Sequence, residues 1–145
     1  MSLNHFKVKF LKKLKHVSRS NLEEKDHQWI LTITDEEDRV WKKLEKTFAY
    51  RKMRVLEKNE DTKIYYIIDT YPTQGKVTIK SPIYQVHLRL GPEQNTEIYL
   101  TDNDGHIPNA AIAQRLLNEI QEGLHGSKVH TMPALIKKIL TEQEE

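Results

Sequence analysis

Apolar and polar positions alternate through the middle of the chain, which is the pattern of strands that bury one face. The alternation is clearest over residues 84–90, where tyrosine, valine and leucine alternate with glutamine, histidine and arginine. Shorter runs with the same period are separated by turn-forming residues at 59–61, 74–75 and 91–95. The pattern predicts strands over residues 28–34, 53–55, 64–68, 77–79, 84–90 and 98–100.

The predicted strand at 64–68 departs from simple alternation, because both of its faces are apolar or aromatic. Ile64, Tyr66 and Ile68 fall on one face. Tyr65 and Ile67 fall on the other. Two interpretations follow: the strand is covered on both faces, or one face exposes a stripe of tyrosine and isoleucine. The second interpretation makes Tyr65 and Ile67 candidates for contact with a partner.

Two segments repeat apolar residues at the spacing of a helix with one buried face. The first follows the strand that ends at Thr34, and Thr34 or Asp35 is expected to cap its amino end. The second is expected to begin near Pro108 and to stop at Gly123 or Gly126. The expected buried positions are Val40, Trp41, Leu44, Phe48, Ala113, Leu116, Leu117, Ile120 and Leu124.

The order of these elements is strand, helix, several strands joined by short turns, and helix. Hairpin connections dominate the middle of the chain, which indicates an antiparallel sheet with the helices gathered on one face. The sequence therefore predicts an α+β domain over residues 28–126. Its sheet is expected to contain about five to six antiparallel strands, with two long helices on one face.

The two ends of the chain lie outside the predicted domain. Residues 1–27 are expected to form a basic segment and linker, because the first 19 residues contain six lysines or arginines and no acid. Phe6, Phe10 and Leu14 recur there at helical spacing, which suits a short amphipathic helix on a membrane surface or a partner. Packing on the chain's own domain is the alternative. Residues 127–145 are expected to form a short helix and an acidic tail.

Composition narrows the class of protein. Of the 145 residues, 37% are hydrophobic and 30% are charged, and no apolar run approaches the ~20 residues that cross a bilayer. The absence of cysteine excludes disulfides, thiolate metal sites and cysteine nucleophiles. The amino end is basic but lacks the continuous apolar core of a secretory signal peptide.

The spacing of the polar residues reveals no catalytic or metal-binding motif. No two histidines are four residues apart, and the chain lacks a P-loop, a dinucleotide fingerprint and a nucleophile elbow. Residues 102–105 begin like a calcium loop, but His106 and Ala113 occupy two of the ligand positions, so a turn is the better interpretation. The sequence therefore predicts a chain without enzymatic activity, cofactor or metal.

Several stretches occur in an order that is similar to one protein family. They are 31–36 (Leu-Thr-Ile-Thr-Asp-Glu), 39–41 (Arg-Val-Trp) with Leu44, 63–67 (Lys-Ile-Tyr-Tyr-Ile), 84–88 (Tyr-Gln-Val-His-Leu), 96–100 (Thr-Glu-Ile-Tyr-Leu), 102–105 (Asp-Asn-Asp-Gly), and the helix with Ala113, Leu116, Leu117 and Ile120. With this order and spacing, residues 30–124 resemble the carboxyl-terminal region of the BamC (NlpB/DapX) family of outer-membrane lipoproteins. Members of that family are accessory components of the machinery that folds β-barrel proteins into the outer membrane.

The resemblance implies a helix-grip fold, in which two helices are held against a curved antiparallel sheet. It also implies a non-enzymatic scaffold that contacts protein subunits of an outer-membrane assembly complex. The expected location is the periplasmic side of the outer membrane if this sequence is the truncated part of a longer protein, and the compartment is otherwise open. The family's lipid-bearing cysteine has no counterpart in the chain.

Two sets of residues are candidates for function, and burial in the core is the competing interpretation for both. Exposed apolar or aromatic side chains would contact a protein partner: Phe6, Phe10, Leu14, Tyr65, Ile67, Tyr71 and Tyr99. The alternative function is a carrier that encloses an apolar ligand between sheet and helix. Its cavity would be lined by Trp41, Phe48, Tyr66 and Tyr84. Membrane-surface contact is expected only through the basic amino-terminal segment, and no nucleic-acid partner is expected.

Overall fold

The computed structural model describes residues 19–51 and 53–125, which form six strands and two α-helices. In chain order the elements are β1 (Ser20–Lys25), β2 (Gln28–Ile33), α1 (Glu37–Tyr50), β3 (Met53–Asn59), β4 (Ile64–Asp69), β5 (Ile83–Leu90), β6 (Thr96–Asp102) and α2 (Ala110–Leu124). A single turn of 3₁₀-helix at Pro92–Gln94 connects β5 to β6. The predicted carboxyl-terminal helix and the candidates Phe6, Phe10 and Leu14 lie outside the described residues.

All six strands belong to one open sheet in the order β1-β2-β6-β5-β4-β3. Every neighbouring pair is antiparallel, so β1 and β3 form the two edges of the sheet. The two helices contact each other and contribute to a single core with the strands. The prediction of an α+β fold with an antiparallel sheet and two helices is therefore confirmed.

The core lies between the helices and one face of the sheet. On β5 the alternation is as predicted, with Tyr84, Val86 and Leu88 buried. Val86 pairs with Leu100 on β6, and Leu88 pairs with Ile98, so the buried side chains of adjacent strands share one face. The predicted buried positions of both helices are buried except Leu124, which is partly buried.

The structure shows which of the two apolar faces of strand β4 is buried. Tyr65 and Ile67 point into the core and are completely buried, whereas Tyr66 lies half-buried on the face away from the helices. The ring of Tyr65 stacks on Trp41 with 4.0 Å between centroids, and its hydroxyl donates to the carbonyl oxygen of Trp41 at 2.8 Å. Of the two interpretations, exposure of this face is wrong, and so is the candidacy of Tyr65 and Ile67 for partner contact, because both side chains belong to the core.

The segment expected to be a linker contains strand β1. This strand pairs with β2 from Ser20 opposite Ile33 to Lys25 opposite Gln28, so the predicted boundary at residue 28 is too late. Leu22 is the apolar residue of β1 that packs against the core. An edge strand needs few buried side chains, and the sequence of β1 therefore lacks the alternation that marks the inner strands.

The predicted strand at 77–79 is also wrong. Residues 70–82 form a long loop between β4 and β5, in which Val77 and Ile79 are exposed. Local hydrogen bonds shape the loop: the backbone N–H of Gly75 donates to the carbonyl of Thr70 at 2.8 Å, and the N–H of Thr78 donates to the hydroxyl of Ser81 at 2.8 Å. Backbone groups that would bond to a neighbouring strand are thus used within the loop.

The start of α1 differs from the prediction, whereas the start of α2 agrees with the expectation that this helix begins near Pro108. Helix α1 begins after Glu36, whose side chain makes no capping bond, and Asp35 accepts from the N–H of Glu36 at 2.9 Å. Thr34 instead accepts from the N–H of Arg19 at 2.7 Å, so neither Thr34 nor Asp35 is the N-cap residue. Helix α2 begins after Asn109, whose side chain accepts from Ala111 at 2.8 Å.

Gly123 lies inside α2 and does not end it, and Gly126, the other expected stop, lies outside the described residues. The residue lies where α2 passes close to α1, and a Cβ built there would overlap Cγ2 of Thr47. Thr47 is itself buried, and its hydroxyl donates to the carbonyl of Lys43 at 3.0 Å. Glycine is therefore required at 123 by the close approach of two helices, despite its low helix propensity.

We expect Gly123→Ala to destabilise the protein, although alanine favours helix by about 1 kcal/mol in an open position. The overlap with Thr47 should make the net change a loss of about 1–3 kcal/mol, as for other overpacked cores. Thr47→Ser removes the methyl group and should restore stability when combined with Gly123→Ala. Urea unfolding of the two single variants and the double variant measures this; additive losses would contradict the close-contact explanation.

Candidate interaction surface

The structure separates the candidate partner-contact residues. Tyr65 and Ile67 belong to the core, as described above. Tyr71 is 63% exposed and follows the end of β4. Tyr99 lies half-buried on the face of the sheet that the helices do not cover. Of the described candidates, only Tyr71 is a largely exposed apolar or aromatic side chain.

The four residues expected to line an apolar cavity do not surround a common space. Trp41, Phe48 and Tyr84 are buried on the helix side of the sheet. The ring of Phe48 packs edge to face against the ring of Tyr65, with 5.1 Å between centroids. Phe48 therefore fills the core on this side and does not line a cavity between sheet and helix. Tyr66 points to the other face of the sheet, so its predicted place in a cavity between sheet and helix is wrong.

Most of the exposed apolar side chains lie on three segments of the chain. Of the eight large apolar side chains that are exposed in the described residues, six lie at the end of α1, on β3, or on the loop at 70–82. We call this set the β3 surface, and its members are Tyr50, Val55, Leu56, Tyr71, Val77 and Ile79. Leu90 and Ile107, the other two, lie elsewhere on the chain.

An open groove of about 660 Å³ is formed by the same three segments and shares Val55 with the β3 surface. Its walls come from the last turns of α1, the first half of β3 and the loop at 70–82. Phe48, Met53 and Val55 supply apolar lining, and Arg51 and Arg54 supply positive charge. The groove exists because β3 is the edge strand, so the described part of the chain places no further strand beside Val55. We refer to it as the edge groove.

A buried ion pair lies beside this groove. Asp69, at the end of β4, has a side chain that is 2% exposed. The guanidinium group of Arg115 on α2 donates to both of its carboxylate oxygens, at 3.3 and 2.5 Å. Oδ1 of Asp69 also accepts from the N–H of Tyr71 at 3.1 Å, and the Arg115 guanidinium lies 4.3 Å from the centre of the Tyr71 ring. The pair therefore fixes Tyr71 at the surface.

Further charged groups surround the ion pair. A cavity of about 350 Å³ is lined by Tyr50, Arg51, Asp69, Tyr71 and Glu119. Burial raises the pKa of the Glu119 carboxyl above its usual value, while the charges of Arg115 and Arg51 oppose this change. Arg51 pairs with Glu122 at 3.4 Å through Nη2. Positively and negatively charged side chains thus form a network next to the exposed side chains of Tyr50 and Tyr71.

On the face of the sheet away from the two described helices, aromatic and polar side chains contact one another. The rings of His87 and Tyr99 stack with 4.7 Å between centroids, and the guanidinium of Arg89 lies 4.7 Å from the Tyr99 ring. His87 shares a hydrogen bond of 2.9 Å with the hydroxyl of Thr101, and burial lowers the pKa of His87. Arg89 donates to Glu97 at 2.8 Å. Tyr99 is thus engaged by side chains of its own sheet, which leaves less of its ring for a partner.

Asp102, Asp104 and His106 form a small group whose potential ligand atoms lie within 4.8 Å of one another. Oδ1 of Asp102 accepts from the backbone N–H groups of Asp104 and His106, each at 2.9 Å. This is the side-chain arrangement of an Asx turn. The prediction of a turn over residues 102–105 is confirmed, and the turn accounts for the position of the carboxylate.

We expect Arg115→Met to lower the free energy of unfolding by about 3–5 kcal/mol, because it leaves the buried Asp69 carboxylate without its cation. Adding Asp69→Asn should recover most of the loss. Lys58→Met, which breaks the exposed pair of Lys58 with Glu45, is the matched control and should cost less than about 1 kcal/mol. Urea unfolding measures the free energy of each variant. Equal losses in Arg115→Met and Lys58→Met would show that the buried pair contributes no more to stability than the exposed pair.

Glu119 should make stability depend on pH. Because its pKa is higher in the folded than in the unfolded chain, the folded state binds the proton more tightly, and stability falls as pH rises from the unfolded to the folded pKa. Glu119→Gln should therefore be more stable than the original chain at neutral pH, and the difference should disappear at a pH below the unfolded pKa. Thermal unfolding across pH measures this, and a constant difference would contradict it.

Comparisons with known proteins identify no family for this chain. A scan against protein-family models finds no match, and a search of curated proteins finds no relative. Neither helix in the described residues combines the length and apolar character that crossing a membrane requires. In the described residues, the end of α1, strand β3 and the loop at 70–82 bring together exposed apolar groups, a groove and a charged network.

Proposed function

We propose that this chain is a non-enzymatic protein-interaction module that binds its partner through the β3 surface. The observation that supports the proposal most is the concentration of exposed apolar side chains on the three segments that form the edge groove. Clustered exposed apolar groups are typical of surfaces that bind other proteins, whereas single ones are common everywhere. Helix α1 and strand β3, which carry several of these side chains, also contribute residues to the core. The exposed side chains are therefore held on well-packed elements.

The loop at 70–82 adds to this support. Long loops without secondary structure are uncommon in compact domains and are often functional. Ile79 in this loop is fully exposed, and Tyr71 at its start is positioned by the Asp69–Arg115 pair. A rigid start and an apolar middle suit a loop that meets a partner, because less conformational entropy is lost on binding.

The resemblance to the BamC family gives the proposal its biological setting. The observed order of strands and helices is compatible with a helix-grip arrangement, in which two helices lie against one face of an antiparallel sheet. On this proposal the partner is a protein subunit of an outer-membrane assembly complex, and the module works on the periplasmic side of that membrane. The carrier alternative has less support, because Trp41 and Phe48 pack directly on Tyr65.

The proposal is tested with the full chain immobilised and exposed to solubilised bacterial envelope. We expect it to retain outer-membrane assembly subunits and to lose them, at least about tenfold, when Tyr71 and Leu56 are both replaced by serine. Leu90→Ser is the matched control, since Leu90 is 68% exposed and Leu56 is 59% exposed. Melting temperatures confirm that all variants fold.

Two results would contradict the proposal. If the original chain retains no assembly subunit, the partner class is wrong. If it retains such subunits and Leu90→Ser weakens retention as much as the paired substitution does, the β3 surface is not where they bind.

A further inference from the structure

We propose that the free edge of β3 binds an extended, acidic segment of a partner protein as an added strand, with apolar side chains of that segment entering the edge groove. This inference deepens the proposed function and rests on it. It names the chemistry of the partner and the mode of binding, in which backbone hydrogen bonds give affinity and side-chain pockets give specificity.

The two edges of the sheet differ in their suitability for strand addition. At β1, side chains from the end of α2 reach the strand: Gln121 donates to the hydroxyl of Ser20 at 2.8 Å, and His125 also contacts that hydroxyl. At β3, every residue after Met53 is exposed, and no described strand lies beyond it. Among the described residues no strand pairs with the outer backbone groups of β3, which makes them available to a ligand, as in other edge strands that accept peptides.

The edge groove supplies the side-chain pocket. A strand added beside β3 would lie ~4.8 Å from it and would alternate its side chains between the two faces of the sheet. Side chains on the helix face would meet Phe48, Met53 and Val55, which line the groove. The volume of about 660 Å³ is within the roughly 300–1,000 Å³ that is typical of ligand sites. Apolar residues at alternate positions are thus the ones that fit.

The charges around the groove favour an acidic segment. Arg51 and Arg54 line it, and the adjoining loop at 70–82 contains Lys76 and Lys80 but no acid. Glu45, the acidic residue in the lining, is already paired with Lys58 at 3.0 Å. Arg54, Lys76 and Lys80 have no ion-pair partner among the described residues, and all three are exposed. Carboxylates at the ends of a bound segment would satisfy them.

A β-bulge limits how far the added strand extends. The register between β3 and β4 shifts between Val55 and Glu57, so Leu56 is the extra residue. Bulges and charged side chains interrupt pairing along an edge and prevent sheets from associating with one another. Beyond the bulge, Glu57 would also repel an acidic ligand. Strand addition is therefore expected along the first half of β3, next to the groove.

The test uses synthetic ten-residue peptides in which valine alternates with threonine. One peptide has two glutamates at each end, and a second has two lysines there. Two further versions of the acidic peptide carry N-methyl groups on every second amide. One version is methylated at the odd-numbered residues and the other at the even-numbered residues, so each blocks the amides along one edge of the extended peptide. We expect the acidic peptide to bind the full chain at least about tenfold more tightly than the lysine peptide. Methylation of the amides that face β3 should abolish binding, because those amides would donate hydrogen bonds to the strand. Methylation of the amides on the opposite edge should not.

Amide hydrogen exchange and paired variants locate the site. Binding should slow exchange in β3 and leave β1 unchanged. Arg54→Glu should weaken the acidic peptide by about tenfold, and Lys42→Glu, with the same change of charge on an exposed face of α1, should not. Equal binding of both methylated peptides, or protection of β1, would overturn strand addition at β3.

The outcomes separate this inference from the proposed function. If no peptide binds while the Tyr71 and Leu56 substitutions still abolish retention of assembly subunits, strand addition is wrong and the interaction module stands. If the acidic peptide protects β3 while no assembly subunit is retained, strand addition stands and the class of partner protein is wrong.

Discussion

The inward orientation of Tyr65 is the constraint on which the arrangement of the β3 side of the molecule depends. Its ring lies against Trp41 and Phe48, and its hydroxyl is satisfied by a backbone carbonyl of α1. Because side chains alternate along a strand, this orientation also directs Asp69 toward the helices. Asp69 can then meet Arg115, and that pair positions Tyr71 beside the edge groove. One aromatic contact in the core thus determines which groups reach the surface at the β3 edge.

The fold class could be predicted because the inner strands and both helices bury one face each, and that burial requires periodic apolar residues. Strand β5 and the apolar stripes of the helices show this directly. β1 was missed because an edge strand buries little. The phase of β4 was undecidable because both of its faces are apolar, and only packing against α1 distinguishes Tyr65 from Tyr66. A stop of α2 at Gly123, one of the two expected, is wrong because in the sequence a glycine needed for helix contact looks the same as one that ends a helix.

The candidate site was less predictable than the fold. Tyr71 was identified from its aromatic character, but its anchor was not, because Asp69 and Arg115 are 46 residues apart. Asp69 lies on the same face of β4 as Tyr65 and Ile67. Only if that face is known to be buried does the sequence indicate that Asp69 is a buried acid that needs a cation. The edge groove had no signal at all, since its walls come from three separate segments. Surfaces of this kind exist only in the folded chain.

The opposite edge of the sheet has a different consequence. Ser20 contacts His125 and Gln121, so the described chain begins and ends at β1. Six strands at ~4.8 Å spacing separate β1 from β3 by about 24 Å. Residues 19 and 125 thus enter and leave the described domain at the edge opposite β3. Nearly the full width of the sheet therefore separates both of them from the edge groove.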